Sequence, residues 1–212
     1  MKIRLITGIS LLIIIIVALL YVFILSDKLE KAYNNADYYL SENEESLLQD
    51  GDIILRRGYG LVSKRIVETL KDTLNVSHCG IIVQTDSCWS VVHSIPGRFS
   101  FSKEDGVIIT PLSEFMEESY PNSVIITRLK RDSLSRIAQK ALSYAERKVP
   151  FDYDFNYNDT TSLYCSELIL HILEDKFALT PEVLGVKTNL PSFSIFTNPD
   201  FFEIIIKHHS TF

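Results

Sequence analysis

The stretch Leu163-Tyr164-Cys165-Ser166-Glu167-Leu168-Ile169 decides how the rest of this chain is read. Leu168, Ile169 and Ile172 recur at helical spacing, and Cys165 falls in register with them. Thr160, Thr161 and Ser162, just upstream, are types that cap helix starts. The pattern therefore places Cys165 in the first turn of a helix running to about Glu174. Unpaired N–H groups and the positive end of the helix dipole favour a thiolate there, and can donate to an oxyanion. The plain alternative is a buried core cysteine, the commoner fate of a free thiol.

A reactive thiol needs a base, and the sequence offers one far upstream. Ser77-His78-Cys79-Gly80-Ile81-Ile82-Val83 puts a histidine in an apolar strand, and Ser90-Val91-Val92-His93-Ser94 puts a second in the next. The turn-rich Thr85-Asp86-Ser87-Cys88 lies between them. An even-length hairpin loop pairs Gln84 with Trp89 and Gly80 with His93. His78 and His93 then become diagonal neighbours on one face, within about 7 Å between Cβ atoms. His78 can take the thiol proton while His93 holds its ring and tautomer. Alone, each histidine reads equally as a satisfied core residue. His78, His93 and Cys165 are also zinc-ligand types, but no short-spaced ligand pair accompanies them.

Tyr164, Asp152 and Tyr153 are the expected substrate contacts, although an Asn/Asp/Tyr-rich loop from Phe151 to Asp159 also reads simply as a loop. Glu167 serves the helix N-terminus, His171 points away from the Cys165 stripe, and His208-His209 is a solvated end. Neither a phosphate-binding glycine loop nor a dinucleotide fingerprint occurs, and no cofactor is required.

The N-terminus is of another kind. From Leu5 to Leu25 there is no charge, and Leu11 to Val17 is wholly apolar. As a helix this run spans about 30 Å, the thickness of a bilayer core. A cleaved signal peptide has a shorter apolar region and a small-x-small site, which Phe23-Ile24-Leu25-Ser26 does not supply. Residues 1–25 are therefore expected to be an uncleaved single-pass anchor. Lys2 and Arg4 favour a cytoplasmic N-terminus and an extracytoplasmic domain, against a weaker pull from Lys28 and Lys31. Leu29, Ala32, Tyr33, Ala36, Tyr39 and Leu40 suggest a juxtamembrane helix within residues 26–47.

The remaining residues, 48–212, suffice for one core. Their expected order begins with a Gln49–Asp52 turn, a strand from Ile53 and a helix over Leu61–Leu74. After the histidine hairpin come a strand at Val107–Thr110, a helix at Leu112–Glu118, a strand at Ser123–Leu129, a helix at Ser133–Lys148, the cysteine helix, and a strand at Phe201–Lys207. That order is α+β, with a mixed or antiparallel sheet packed on helices. The formal charge of −6 and pI near 5.4 leave no basic face for nucleic acid. Cys79 and Cys88 read as two small buried thiols rather than a hairpin disulfide, with Cys165 left over.

Four blocks together carry a resemblance: Leu48-Gln49-Asp50-Gly51-Asp52-Ile53-Ile54, the His78 strand, Pro150-Phe151-Asp152-Tyr153-Asp154-Phe155, and Tyr164-Cys165-Ser166-Glu167-Leu168. They look like the YiiX/YebB-like family, circularly permuted relatives of the NlpC-type papain-like hydrolases, over Leu48 to Glu174. The resemblance implies a papain-like α+β core and a Cys-His-polar triad carried by Cys165 and His78. Where that family commonly has a glutamate, this chain has His93. The His-His-Cys order resembles the lecithin-retinol acyltransferase-like branch, which handles lipid acyl groups. The resemblance implies a thiol hydrolase acting on peptide or amino-acid amides, cell-wall peptides, or N-acyl and lipid acyl groups. The rival reading is a non-catalytic, membrane-tethered binding domain that keeps the cleft.

Overall fold

The computed structural model describes residues 2–33, 38–86, 88–97, 104–186 and 190–208. Ala36, Ser87 and His209 lie outside them, as do the side chains of Lys2, Arg4, Lys28, Ala32 and Tyr33.

Six strands build one sheet: β1 (Ile53–Arg56), β2 (His78–Thr85), β3 (Cys88–Ile95), β4 (Gly106–Pro111), β5 (Ile125–Leu129) and β6 (Phe202–Lys207). Their order is β4-β3-β2-β1-β5-β6. Every described pairing is antiparallel, so the sheet is not mixed. The helices are α1 (Lys2–Tyr33), α2 (Glu42–Glu45), α3 (Gly60–Leu70), α4 (Leu112–Glu117), α5 (Ser135–Glu146) and α6 (Cys165–Phe177).

The two-residue side-chain period splits the sheet into two buried faces. Ile53, Leu55, Cys79, Ile81 and Val83 meet Ile137 and Ala141 of α5 and Leu168, Ile169 and Ile172 of α6. Ile54, Ile82, Val91 and Ile126 meet Phe115 and Met116 of α4, with Leu40 and Leu48. Both faces being covered explains why β2 is apolar without alternation. Each large apolar side chain buried this way contributes about 1.5–3 kcal/mol.

The Gln49–Asp52 turn leads into β1 as its sequence requires. Gly51 sits at φ 92°, and a Cβ there would strike the Leu134 carbonyl oxygen. Asp52, fully buried, accepts from Arg128 Nε at 2.7 Å and Nη2 at 2.8 Å, and from the Gln49 amide at 2.8 Å. This block is thus a structural clamp between β1 and β5.

Four expectations change. His208 is no solvated end: its Nδ1 lies 2.6 Å from the Tyr38 hydroxyl and its Nε2 lies 2.7 Å from Glu44 Oε1. The segment of residues 26–47 is not one helix: α1 ends at Tyr33, Tyr38 to Ser41 is non-helical, and α2 is a single capped turn. Cys88 is exposed, and all three cysteines are free. The spanning helix is not supported either: among the described residues no helix is long and apolar enough to cross a membrane. The described apolar side chains of α1 are exposed from Leu11 to Val22, with Leu25 and Leu29 beyond.

Candidate active site

Cys165 is the first residue of α6. The cap before it is Tyr164, extended at φ −88° and ψ 173°, rather than the upstream Thr-Thr-Ser run. Glu167, wholly buried, reaches back to accept the Tyr164 amide at 3.0 Å, which ties down the first turn. Ser94 Oγ donates to the Leu163 carbonyl, and the Leu163 amide donates to the Pro150 carbonyl at 2.9 Å. The start of α6 is thereby bound to β3, one residue from His93.

The hairpin closes with Thr85 opposite Cys88 and Gln84 opposite Trp89, the even register. His78 Nε2 and His93 Nδ1 lie 2.8 Å apart, and His93 Nε2 lies 2.9 Å from Thr110 Oγ1 on β4. The two imidazoles meet edge to face, centroids 5.0 Å apart, and both pack on Phe115. Gly80 makes room for this: a Cβ there would collide with Val91 and crowd His93 Cβ.

His78 and Cys165 line one cavity of about 460 Å³, which Ser77, Ser94, Tyr164 and Ser166 also border. The structure thus brings Cys165, His78 and, behind it, His93 together. Tyr164 also borders the cavity, but Asp152 and Tyr153 do not. Asp152 is buried and accepts the amides of Asp154 and Asn156 at 2.8 and 2.7 Å, while Tyr153 donates to Asp105. These two hold the loop together, which an aspartate between turn residues does by local hydrogen bonding.

Three neighbours escaped the sequence reading. The neighbouring Cys79 thiol is the largest cause holding the Cys165 pKa below its ordinary value; burial opposes it, and the amides of Ser166, Cys79 and Cys165 assist. Burial, and then the Cys165 side chain, push the Cys79 thiol well up. Arg56, opposite His78 in the register, lies 4.5 Å over the Phe115 ring. Thr110 is the third. Strand alternation could have put Cys79 on the α6 face, but Arg56 and Thr110 depend on sheet order.

His78 is held well below its ordinary 6.5 by burial first, then by His93 and Arg56. Burial and then Arg56 hold His93 at about 3. At neutral pH both rings are therefore uncharged proton acceptors. On the outer side of α6, His171 stacks on Tyr157 with centroids 4.4 Å apart and lies 3.5 Å from Glu167.

A family model described as the permuted papain-like amidase enzyme, YaeF/YiiX, C92 family, matches residues 47–189. The chain belongs to this family of permuted papain-like amidases. A crystal structure described as the metalloprotein yiiX from Escherichia coli O157:H7 superposes with a TM-score of 0.56 at 20% identity. The match covers 75% of this chain and 97% of that one, so the fold is shared. None of the curated proteins matches the chain. Among the described residues of this amidase-family chain, no group of three or more His, Cys, Asp or Glu side chains could hold a metal ion.

Proposed function

We propose that the protein is a cysteine hydrolase that opens an amide or ester bond through a thioester on Cys165. The observation that carries this reading is the shared cavity: a thiol with a lowered pKa on the first helical residue, and a neutral histidine backed by a second. For His78 Nδ1 to accept the thiol proton, its Nε2–H must donate to His93 Nδ1. In that tautomer His93 donates through Nε2–H to Thr110 Oγ1, whose hydroxyl can accept it.

Cys165 Sγ bonds the carbonyl carbon as its proton passes to His78. The oxyanion meets the amide N–H groups at the start of α6. The C–N or C–O bond then breaks, and His78 protonates the departing amine or alcohol. Water, deprotonated by His78, attacks the thioester and releases the acid and the Cys165 thiol. His93 is a positioning residue that stabilises the imidazolium. No cofactor enters this sequence.

We also propose that residues 1–25 are a membrane anchor with the domain extracytoplasmic. The uncharged run from Leu5 to Leu25, the exposed apolar side chains of α1 and the basic Lys2 and Arg4 support that reading.

The test is the pH dependence of iodoacetamide alkylation at Cys165, followed by mass spectrometry with and without His78→Ala. An apparent thiol pKa below the ordinary value of about 8.5, moving when His78 is removed, is expected. An ordinary thiol indifferent to His78 would leave a binding domain instead.

A further inference from the structure

We infer that His171 is a positioning residue for the reaction at Cys165: acting through the buried Glu167 carboxylate, it holds the first turn of α6 in place. The inference rests on the hydrolase reading and adds a residue to its machinery.

Glu167, His171 and Glu174 follow one another at i, i+4 and i+7, so α6 carries them on one face, away from the Cys165 stripe. The Glu167 side chain is wholly buried, and that of His171 is only 13% exposed. Among the described residues, His171 Nε2 and Glu167 Oε1 are buried with no hydrogen bond to any other group, and the two lie 3.5 Å apart. A buried carboxylate oxygen left alone is costly, and the imidazole N–H is placed to meet it. His171 is itself fixed from outside. Its ring stacks on Tyr157, centroids 4.4 Å apart and planes inclined by 11°, and the Tyr157 hydroxyl donates to Glu174 Oε2 at 2.9 Å. The second Glu167 oxygen, Oε2, accepts the Tyr164 amide at 3.0 Å. One carboxylate thus joins the imidazole on the outer face to the residue that precedes the nucleophile.

Ionised, Glu167 accepts at both oxygens; protonated, one of them becomes a donor and loses its partner. Burial pushes this carboxyl above its ordinary range, His171 and then the Tyr164 amide pull it back, and Asp152 opposes them. The other titratable groups here are Tyr164, beside Glu167, and Glu174 and Glu182, around Tyr157. Without His171 the carboxyl takes up its proton at a higher pH. The Tyr164 amide then loses a charged acceptor, and the Cys165 and Ser166 amides that serve the sulfur lose their fixed position.

The experiment follows iodoacetamide alkylation of Cys165 against pH by mass spectrometry on the full chain, with kcat and KM for p-nitrophenyl acetate and urea stability alongside. His171→Ala should raise the pH midpoint of alkylation. It should also lower kcat about tenfold with KM little changed, the worth of one hydrogen bond to a charged group. His171→Gln, which keeps an N–H, should restore most of both. In a Glu167→Gln protein, whose side chain cannot titrate, adding His171→Ala should leave the midpoint where it is. A midpoint unmoved by His171→Ala, or moved equally in the Glu167→Gln protein, overturns the inference, as does a loss of stability alone. Should His171→Ala fail to fold, His171→Leu is set beside His171→Gln: a midpoint raised by leucine alone supports the inference, and equal midpoints overturn it. If the Cys165 thiol is ordinary and indifferent to His78, the hydrolase reading falls. A midpoint still raised by His171→Ala then supports the positioning of the thiol, and an unmoved one overturns it.

Discussion

Burial keeps the histidine pair uncharged, and Arg56 adds to it. Its guanidinium is buried enough for its own pKa to fall to about 10, and it acts on His78 from the neighbouring strand and on His93 from two strands away. Protonating either ring would place a second cation in a buried site. Between about pH 3 and the ordinary 6.5, the unfolded chain therefore binds a proton at position 93 that the folded chain refuses. Stability is full above 6.5 and is lost as the pH falls through that window. Thermal melting from pH 7 to pH 4 should show a steep decline that His93→Gln flattens; an unchanged slope would exclude the effect. For catalysis, His93→Ala should lower kcat by about 10²- to 10⁴-fold, the range for a disturbed general base, and reshape the pH–rate profile. Equal losses in turnover and stability would reduce His93 to a structural part. Arg128→Leu leaves the buried Asp52 carboxylate without its partner and should cost about 3–5 kcal/mol in urea unfolding.

At the scale of elements, the β2–β3 hairpin and the start of α6 form one positioning unit. The hairpin's even register brings His78 to His93, Gly80 leaves the space, and Ser94 fastens the segment before Cys165. Ser94→Ala should cost about 1 kcal/mol for the lost hydrogen bond, with a larger penalty on alkylation rate at Cys165 than stability alone accounts for. Equal alkylation at matched stability would show that Ser94 does not position α6. Much of this was legible beforehand. A two-residue loop fixes side-chain parity, and helical spacing placed Cys165 in a first turn. The role of Glu167 at the helix start was legible; that the cap is Tyr164 rather than the Thr-Thr-Ser run was not, because Tyr164 serves through its backbone amide and carbonyl.

At the scale of the whole molecule, α1 and the amidase-family domain are joined at the Gly60 end of α3. The anchor reading predicts that the full chain stays with vesicles after alkaline extraction. Ile13→Lys with Ile16→Lys should release it, since each central lysine costs about 2.5–3.5 kcal/mol in a bilayer. Retention of the double variant would show that the membrane contact lies elsewhere.

The sequence by itself determined the element order, the hairpin parity and the thiol at a helix start, because periods of 2 and 3.6 residues and short loops are local properties. It also carried the family blocks. Only the tertiary structure decided that Asp152 and Tyr153 hold a loop, that Arg56 and Thr110 adjoin the histidines, and that Cys79 neighbours Cys165. The Asp152 bonds are local, to Asp154 and Asn156; the other relations join residues far apart in the chain, and they follow from which strand lies beside which and from which face each helix covers.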